Sequence, residues 1–247
     1  MLVLYFLALI LSQVSFLSIG TFLTLLASKD VLFSIGLSFF TATVASVIAN
    51  FVAIPSAYVL SRYDFFCKDI IDTVIDIPIL LSPVALGTLI LMFFNTRAGV
   101  FIQNNLVDFI FSVKGIILAQ FTVTVALAVK ILKSVFDSIN PRYESVARSL
   151  GSSRVRAFFK VTLPIAKNGI ITSFILTWAR ALGEFGASVM VAGAMKGKTD
   201  TLPIGIYLSL ASVDLEKAVV LITILIFISV VILVIFKKMV KKEGWHI

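Results

Sequence analysis

Residues 143–164 read YESVARSLGSSRVRAFFKVTLP, a basic and polar stretch inside a chain that is 60% hydrophobic. Apolar residues within it, such as Val146 and Leu150, recur about one helical turn apart. Gly151 and the two serines that follow it have the composition of a helix C-terminus followed by the N-cap of a second helix. The stretch therefore predicts two short helices around a glycine turn, closed by the Leu-Pro pair at its end.

The rest of the chain is more apolar than a water-soluble domain. Its 247 residues have a mean hydropathy of +1.09 and only 14% charged residues, against about 25% in soluble domains. Long apolar runs recur over the whole length, which indicates an integral membrane protein. The net charge of +8 lies at the ends of these runs, so we expect no nucleic-acid partner. The chain has a single cysteine, so it cannot form an internal disulfide. It has no Cys/His cluster that would predict a metal site.

Six apolar segments are long enough to cross a hydrocarbon core of ~30 Å, which takes about 20 helical residues. They run over approximately 2–27, 35–60, 70–94, 115–133, 170–193 and 218–236. Backbone groups in lipid must be hydrogen-bonded within the segment, so each segment is predicted to be a helix. We expect one all-α membrane domain over residues 1–247, with the first span retained rather than cleaved as a signal peptide.

The positive charges predict the orientation of these spans. With the N-terminus inside, inner segments hold fourteen of the 21 Lys and Arg residues and outer segments hold six. Positive residues concentrate on the cytoplasmic side of membrane proteins. We therefore expect a multi-pass protein of the cell membrane with both termini in the cytoplasm.

The third apolar segment begins with a column of carboxylates. Asp69, Asp72 and Asp76 share one helix face by their spacing. A carboxylate facing lipid costs several kcal/mol. We expect residues 65–77 to form an interfacial helix that faces water or protein, with the true span beginning near Pro78.

About 35 residues, 134–169, separate the fourth and fifth spans and are called the polar loop below. Two interpretations are compatible with its periodicity. It is either a compact knob that inserts into a partner's groove or a solvated positive-inside loop without a partner.

The polar loop resembles the EAA loop of ABC-transporter permeases. That loop has a Glu-Ala-Ala-like triplet, a glycine four residues after it and an Ile-x-Leu-Pro close. The matching residues here are Ser145, Val146, Ala147, Gly151, Val161, Leu163 and Pro164. Ser145 stands where the family has glutamate, although Glu144 immediately precedes it. The resemblance implies a coupling helix that docks into a separate ATPase subunit, and leaves open which side chain anchors that contact.

Two further stretches resemble the molybdate, tungstate and sulfate branch of these permeases. The residues that match are Asp76, Pro78, Pro83 and Gly87 in the third span and Arg180, Gly183, Glu184 and Gly186 in the fifth. Ser82 replaces the first of two adjacent prolines that are frequent in the branch. The resemblance implies the type I permease architecture of ABC importers.

The same resemblance implies the partners and the function. It predicts a homodimer with two cytoplasmic ATP-binding subunits and an external substrate-binding protein, importing molybdate or tungstate across the bilayer. This chain would then be no enzyme and hold no cofactor, since ATP and Mg would bind in the partner subunit. Alternatives are a sulfate or thiosulfate permease of the same family and, in a different class, an ATP-independent anion channel or a membrane anchor.

Arg180 and Glu184 lie four residues apart in the fifth span and share a helix face. Neither tolerates lipid. They either border the translocation path or form a neutralising pair near a dimer interface, and the neighbouring glycines are expected to allow close approach of another helix. Lys130 is expected to reach the inner interface with its long side chain.

Residues 192–199, AGAMKGKT, nearly match a phosphate-binding loop. Ala192 replaces the first glycine, and the stretch follows a membrane helix instead of a strand, so we expect no ATP binding there. Pro203 is expected to begin a short external helix.

Overall fold

The computed structural model describes residues 19–242 and, ahead of them, residues 1, 4, 5, 8, 10, 12 and 13. All regular structure in this part of the chain is helical, which confirms the predicted all-α class. The helices are α1 (Ile19–Leu26), α2 (Lys29–Arg62), α3 (Lys68–Leu80), α4 (Pro83–Phe94), α5 (Arg97–Asn105), α6 (Val113–Ser138), α7 (Arg142–Ser149), α8 (Arg154–Ala157), α9 (Leu163–Ile165), α10 (Lys167–Leu182), α11 (Gly186–Ala192), α12 (Leu202–Ala211) and α13 (Leu215–Lys242). Of the 26 residues of the first predicted span, 2–27, eleven lie outside the described residues.

Three of the described helices are long and apolar enough to cross a membrane: α2, α6 and the first 21 residues of α13. The 34 residues of α2 extend about 50 Å at 1.5 Å per residue. Small side chains recur every fourth residue along its buried face, at Ala45, Ala49, Ala53 and Ala57. Such a stripe lets helix backbones approach closely in a membrane. The C-terminal half of α2 packs with α6 in one apolar cluster.

The third predicted span is two helices rather than one. Helices α3 and α4 meet at an angle of 111°, and the break falls after Leu81 rather than near Pro78, which lies inside α3. The reason is local: the Ser82 side chain accepts a hydrogen bond from Ala85 N, and Pro83 occupies the first turn of α4. A serine N-cap followed by proline is a strong helix start.

The fifth predicted span is also interrupted. Helix α10 ends at Leu182 and α11 begins at Gly186, with Gly183 as the C-cap between them. Helix α10 is in turn bent by 70° from the helical segment 154–165. If each bent pair counts as one span, the described residues hold up to five spans, and six continuous helices are not observed.

The polar loop folds as predicted at its centre. Helix α7 ends in a turn in which Gly151 has a φ of +87°, and the Ser153 side chain caps α8 by accepting a hydrogen bond from Arg156 N. A π-helical turn at Phe158–Thr162 leads from α8 into α9. The polar loop is shorter than the predicted 134–169, because α6 continues to Ser138 and α10 already begins at Lys167.

The two ends of α2 contact different parts of the chain. At one end Arg62 pairs with Glu144 of the polar loop. At the other end Asp30 pairs with Lys196, 2.7 Å away, and with Lys217, 3.3 Å away. The charges that the sequence assigned to opposite sides of the membrane therefore lie at opposite ends of one long helix.

Candidate functional site

The polar loop is fastened to α2 through Glu144. The Tyr58 hydroxyl donates a 2.7 Å hydrogen bond to Glu144 Oε2. Arg62 Nε and the Thr162 hydroxyl donate to Oε1 at 3.1 Å and 2.7 Å. Arg62 also donates from Nη2 to the carbonyl of Ile139, at 2.8 Å. One carboxylate thereby joins α2, α7 and the π-helical turn.

The residues around Glu144 keep its carboxylate ionised. Burial raises the pKa of this carboxyl, but hydrogen bonds from Thr162, Tyr58 and Arg62 outweigh burial and hold the pKa below its ordinary value of 4.5. The side chains of Arg62 and Glu144 are only 9% and 14% exposed. Glu144 is therefore occupied within the chain and is not free to bind a partner.

The exposed surface of the polar loop carries large apolar side chains. Leu150 is 83% exposed, and Tyr143, Val146 and Val155 are also exposed. Ser145, which stands where the family triplet has glutamate, is exposed as well. Large apolar side chains on two short helices offer a surface that fits a partner's groove.

The two other family-like stretches meet at a crossing of α4 and α11. A Cβ on Gly87 would lie 2.8 Å from Met190 Cβ and 2.9 Å from Ala187 Cα, and one on Gly186 would lie 3.1 Å from Pro83 Cβ. The predicted close approach is confirmed at Gly186. At Gly183 it stays a prediction, because within the described chain a Cβ there would meet only the Ala179 carbonyl of its own helix, at 3.9 Å.

Arg180 and Glu184 form an ion pair, with Arg180 Nη1 2.6 Å from Glu184 Oε2. Glu184 Oε1 also accepts a 2.9 Å hydrogen bond from Ala187 N, so this carboxylate caps the start of α11. The Glu184 side chain is 1% exposed and that of Arg180 is 38% exposed. Of these two side chains, only that of Arg180 is exposed enough to contact a neighbouring subunit or an ion.

Lys130, which is expected to reach the inner interface, is part of an ion-pair cluster. Its Nζ lies 2.9 Å from Asp72 Oδ1 and 2.9 Å from Asp76 Oδ2. These carboxylates come from α3, so the predicted acidic column faces protein at two of its three positions. The cluster joins α3 to α6, and Asp76, one of the family-like residues, is part of it.

The near-match to a phosphate loop is followed directly by a carboxylate, that of Asp200, which accepts a hydrogen bond from it. The backbone N–H of Gly197 donates to Asp200 Oδ1 at 3.0 Å, and Met195 N donates to the Thr199 hydroxyl. Burial raises the pKa of the Asp200 carboxyl above its ordinary value. Helix α12 follows, with Pro203 in its first turn as predicted.

The sequence analysis missed the partners of Glu144. Arg62 was counted only as a topological charge, and Tyr58 and Thr162 were not considered. A signal was present, because Tyr58 and Arg62 lie four residues apart on one face at the end of a long apolar helix. A polar pair there needs a partner at the membrane surface.

The sequence is similar to a known protein family and to several known proteins. The sequence profile of the family described as "Binding-protein-dependent transport system inner membrane component" matches residues 49–242. The chain is 32% identical over 222 residues to a probable transport system permease protein, NifC, of Clostridium pasteurianum, covering 88% of this chain and 77% of the relative.

Two further relatives have similar identity. A probable molybdenum ABC transporter permease protein of Haloferax volcanii is 38% identical over 189 residues, covering 76% of this chain and 68% of the relative. The sulfate transport system permease protein CysW of Synechocystis is 31% identical over 219 residues, covering 85% and 79%.

Among solved structures, a bacterial ABC transporter that imports the acidic polysaccharide alginate has a chain of the same fold. The TM-score is 0.75 at 17% sequence identity, covering 92% of this chain and 85% of that chain.

Proposed function

Because this chain belongs to the family of binding-protein-dependent transport system inner membrane components, we propose that it is the membrane-spanning permease subunit of an ATP-driven importer for a tetrahedral oxyanion. Molybdate or tungstate is the proposed cargo. The observation that carries the proposal is the polar loop: two short helices, anchored at the end of α2, with a bare apolar face.

The polar loop is the proposed contact with an ATPase subunit. Apolar surface is exposed to water at Leu150, Val146 and Val155, and a patch of this kind is typical of a contact with another protein. Short helices of this kind insert into a groove of a partner. The Glu144 anchor connects that surface to α2, which is long and apolar enough to cross the membrane. Movement of an attached ATPase would therefore reach the spanning helices.

The proposed complex contains two copies of this chain, two ATPase subunits and an external binding protein. Closure of the ATPases would draw the two polar loops together and expose a central path alternately to each side of the membrane. ATP and Mg would bind in the ATPase subunits. The contact drives transport only if its binding energy differs between the two states.

Arg180 is the residue of this chain that we propose to lie at the translocation path or the dimer interface. Its guanidinium is partly exposed and held by the buried Glu184 carboxylate, so its position is set before an ion arrives. The pairing also reduces its charge. A weakened attraction suits a path from which the ion must leave again.

The name of the Haloferax relative supports molybdate or the chemically similar tungstate as cargo. Sulfate is the second candidate, and the observation that supports it is the similarity to the sulfate permease of Synechocystis. Purified complex in lipid vesicles, supplied with ATP and the binding protein, distinguishes them by uptake of radiolabelled molybdate, tungstate and sulfate. Uptake that continues without ATP contradicts the proposal.

The first test is affinity purification of this chain from its native membrane in mild detergent, followed by mass spectrometry. We expect an ATPase subunit in an equal amount. A chain that reproducibly purifies alone contradicts the proposed ATPase contact.

Gly151 provides a test of coupling within the chain. Its φ of +87° is strained for a branched residue, so Gly151→Val should distort the turn and lower ATP-driven uptake at least about tenfold. Gly197 has a similar φ of +72° and equally open surroundings. Gly197→Val is therefore the matched control and should transport normally, and equal losses in both variants would refute a special role for the polar loop.

A further inference from the structure

A cavity of about 280 Å³ lies between the polar loop and the end of α2. Both short helices of the loop contribute to its walls, α7 on one side of the glycine turn and α8 on the other. Its lining residues are Tyr58, Arg62, Tyr63, Pro141, Glu144, Ser145, Arg148 and Arg154. The lining contains three arginines against one carboxylate.

The inner wall of this cavity is electrically balanced. Arg62 and Glu144 neutralise each other, and Arg62 uses Nε, Nη1 and Nη2 on Glu144, Ser61 and Ile139. Both oxygens of Glu144 already accept hydrogen bonds. This wall neither attracts nor repels an additional ion strongly.

The two remaining arginines have no counter-charge. Arg148 and Arg154 make no ion pair within the described part of the chain, and both are exposed. The Arg154 guanidinium lies 6.0 Å from the centre of the Tyr63 ring, which limits its orientations. Two guanidinium groups without a counter-charge therefore border a polar cavity of about 280 Å³, which has room for one tetrahedral oxyanion.

We propose that this cavity is an anion-binding site in which Arg148 and Arg154 together hold one oxygen anion between α7 and α8. Guanidinium groups present paired N–H donors that match the oxygens of phosphate, molybdate or a carboxylate. A bound anion would join the two short helices across the Gly151 turn. The site goes beyond the proposed transport function, because nothing in it depends on the cargo or on alternating access.

We assign the site to a free tetrahedral oxyanion at the membrane surface, because the two unpaired guanidinium groups lie within one chain and match its oxygens. The chain alone should therefore bind the ion. The competing occupant is an acidic side chain of a subunit docked on the polar loop, for which the arginines would determine only how much of that subunit is recovered.

Binding is measured by equilibrium dialysis of the purified full-length chain against radiolabelled inorganic phosphate and radiolabelled molybdate. We expect one ion per chain, and at least about tenfold weaker binding in Arg148→Ala and in Arg154→Ala. Arg142→Ala and Arg156→Ala are the matched controls, because these exposed arginines lie on the same helices outside the cavity. They remove the same charge and should bind normally.

The same four variants are compared for the amount of ATPase subunit that co-purifies. Selective loss of ion binding in the two cavity variants supports the site. Absent ion binding with selective loss of the ATPase would assign the two arginines to a docked subunit instead and would overturn the proposal. Equal effects of all four variants, no effect of any, or ion binding abolished by Arg180→Ala instead would overturn the proposal.

Discussion

Glu144 illustrates how much a single residue decides in this chain. The family-like triplet lacks its glutamate, and the adjacent Glu144 is the residue nearest to that position. The structure turns this carboxylate inward, onto Tyr58, Arg62 and Thr162. Its role in the described chain is thus to hold the polar loop against the membrane helices. Any contact with a partner is left to the exposed apolar side chains.

Substituting Glu144→Gln should loosen the polar loop without unfolding the chain. The change removes hydrogen bonds to a charged group, worth about 1.5–3 kcal/mol each. We expect trypsin to cleave the exposed arginines of the loop faster in the purified protein. Glu216→Gln, which removes the same charge at an exposed position on α13, should leave the cleavage rate unchanged. Identical rates in both variants would contradict the anchoring role.

The Glu144 anchor should also weaken at low pH. The pKa of this carboxyl is lower in the folded chain than its ordinary value of 4.5, so the ionised form stabilises the fold. That stabilisation is complete above about pH 4.5 and is lost as the pH falls through the lower native pKa. Cleavage of the loop by an acid-active protease should accelerate in this range. In Glu144→Gln the cleavage should lack this step, and a step of unchanged size there would assign the effect to another group.

At the scale of elements, the crossing of α4 and α11 depends on glycine. Helix α4 has only 12 residues, about 18 Å, and so cannot cross the hydrocarbon core alone. It gains its position from contact with α11, where Gly87 and Gly186 remove side chains from the contact. The two stretches that resemble the oxyanion branch are therefore parts of one packing site.

Gly87→Ala should destabilise this crossing. The new Cβ would lie within 3 Å of Ala187 and Met190, and overpacking of this kind costs about 1–3 kcal/mol. Gly36→Ala is the control, because Gly36 lies in α2 with nothing within 4 Å of its Cβ position. A helical Gly→Ala change with free space is neutral or stabilising. Thermal unfolding in detergent should show a lower Tm for Gly87→Ala alone, and equal Tm values would mean that the crossing yields.

At the scale of the whole molecule, the charge distribution and the packing agree on two opposite surfaces. The polar loop lies at one end of α2, while Lys196 and Lys217 contact Asp30 at the other end. The excess of Lys and Arg on the loop side predicts that this side faces the cytoplasm. The near-match to a phosphate loop would then lie outside the cell, away from ATP.

Cysteine labelling in intact cells tests this orientation. In a Cys67→Ser background, Lys198→Cys should react with a membrane-impermeant maleimide added outside, because residue 198 is exposed and is predicted to lie on the outer side of the membrane. Arg156→Cys, exposed on the polar loop, should react only after the cells are permeabilised. The reversed pattern would invert the proposed topology.

The sequence by itself determined the features that arise within a short window of residues. Hydropathy predicted an all-helical membrane protein, and the composition of residues 151–153 predicted the turn of the polar loop. Each depends on neighbours in the chain, through the apolar length needed to cross lipid and through helix capping.

Only the tertiary structure decided which distant groups meet. It divided the third and fifth apolar segments into bent pairs, because a serine cap and the Glu184 carboxylate start new helices within apolar runs. It paired Lys130 with α3 and Glu144 with α2, over 58 and 82 residues of sequence. Periodicity states which face of a helix is polar. It does not state which other helix presents the complementary charge, since that depends on how the helices pack around one another.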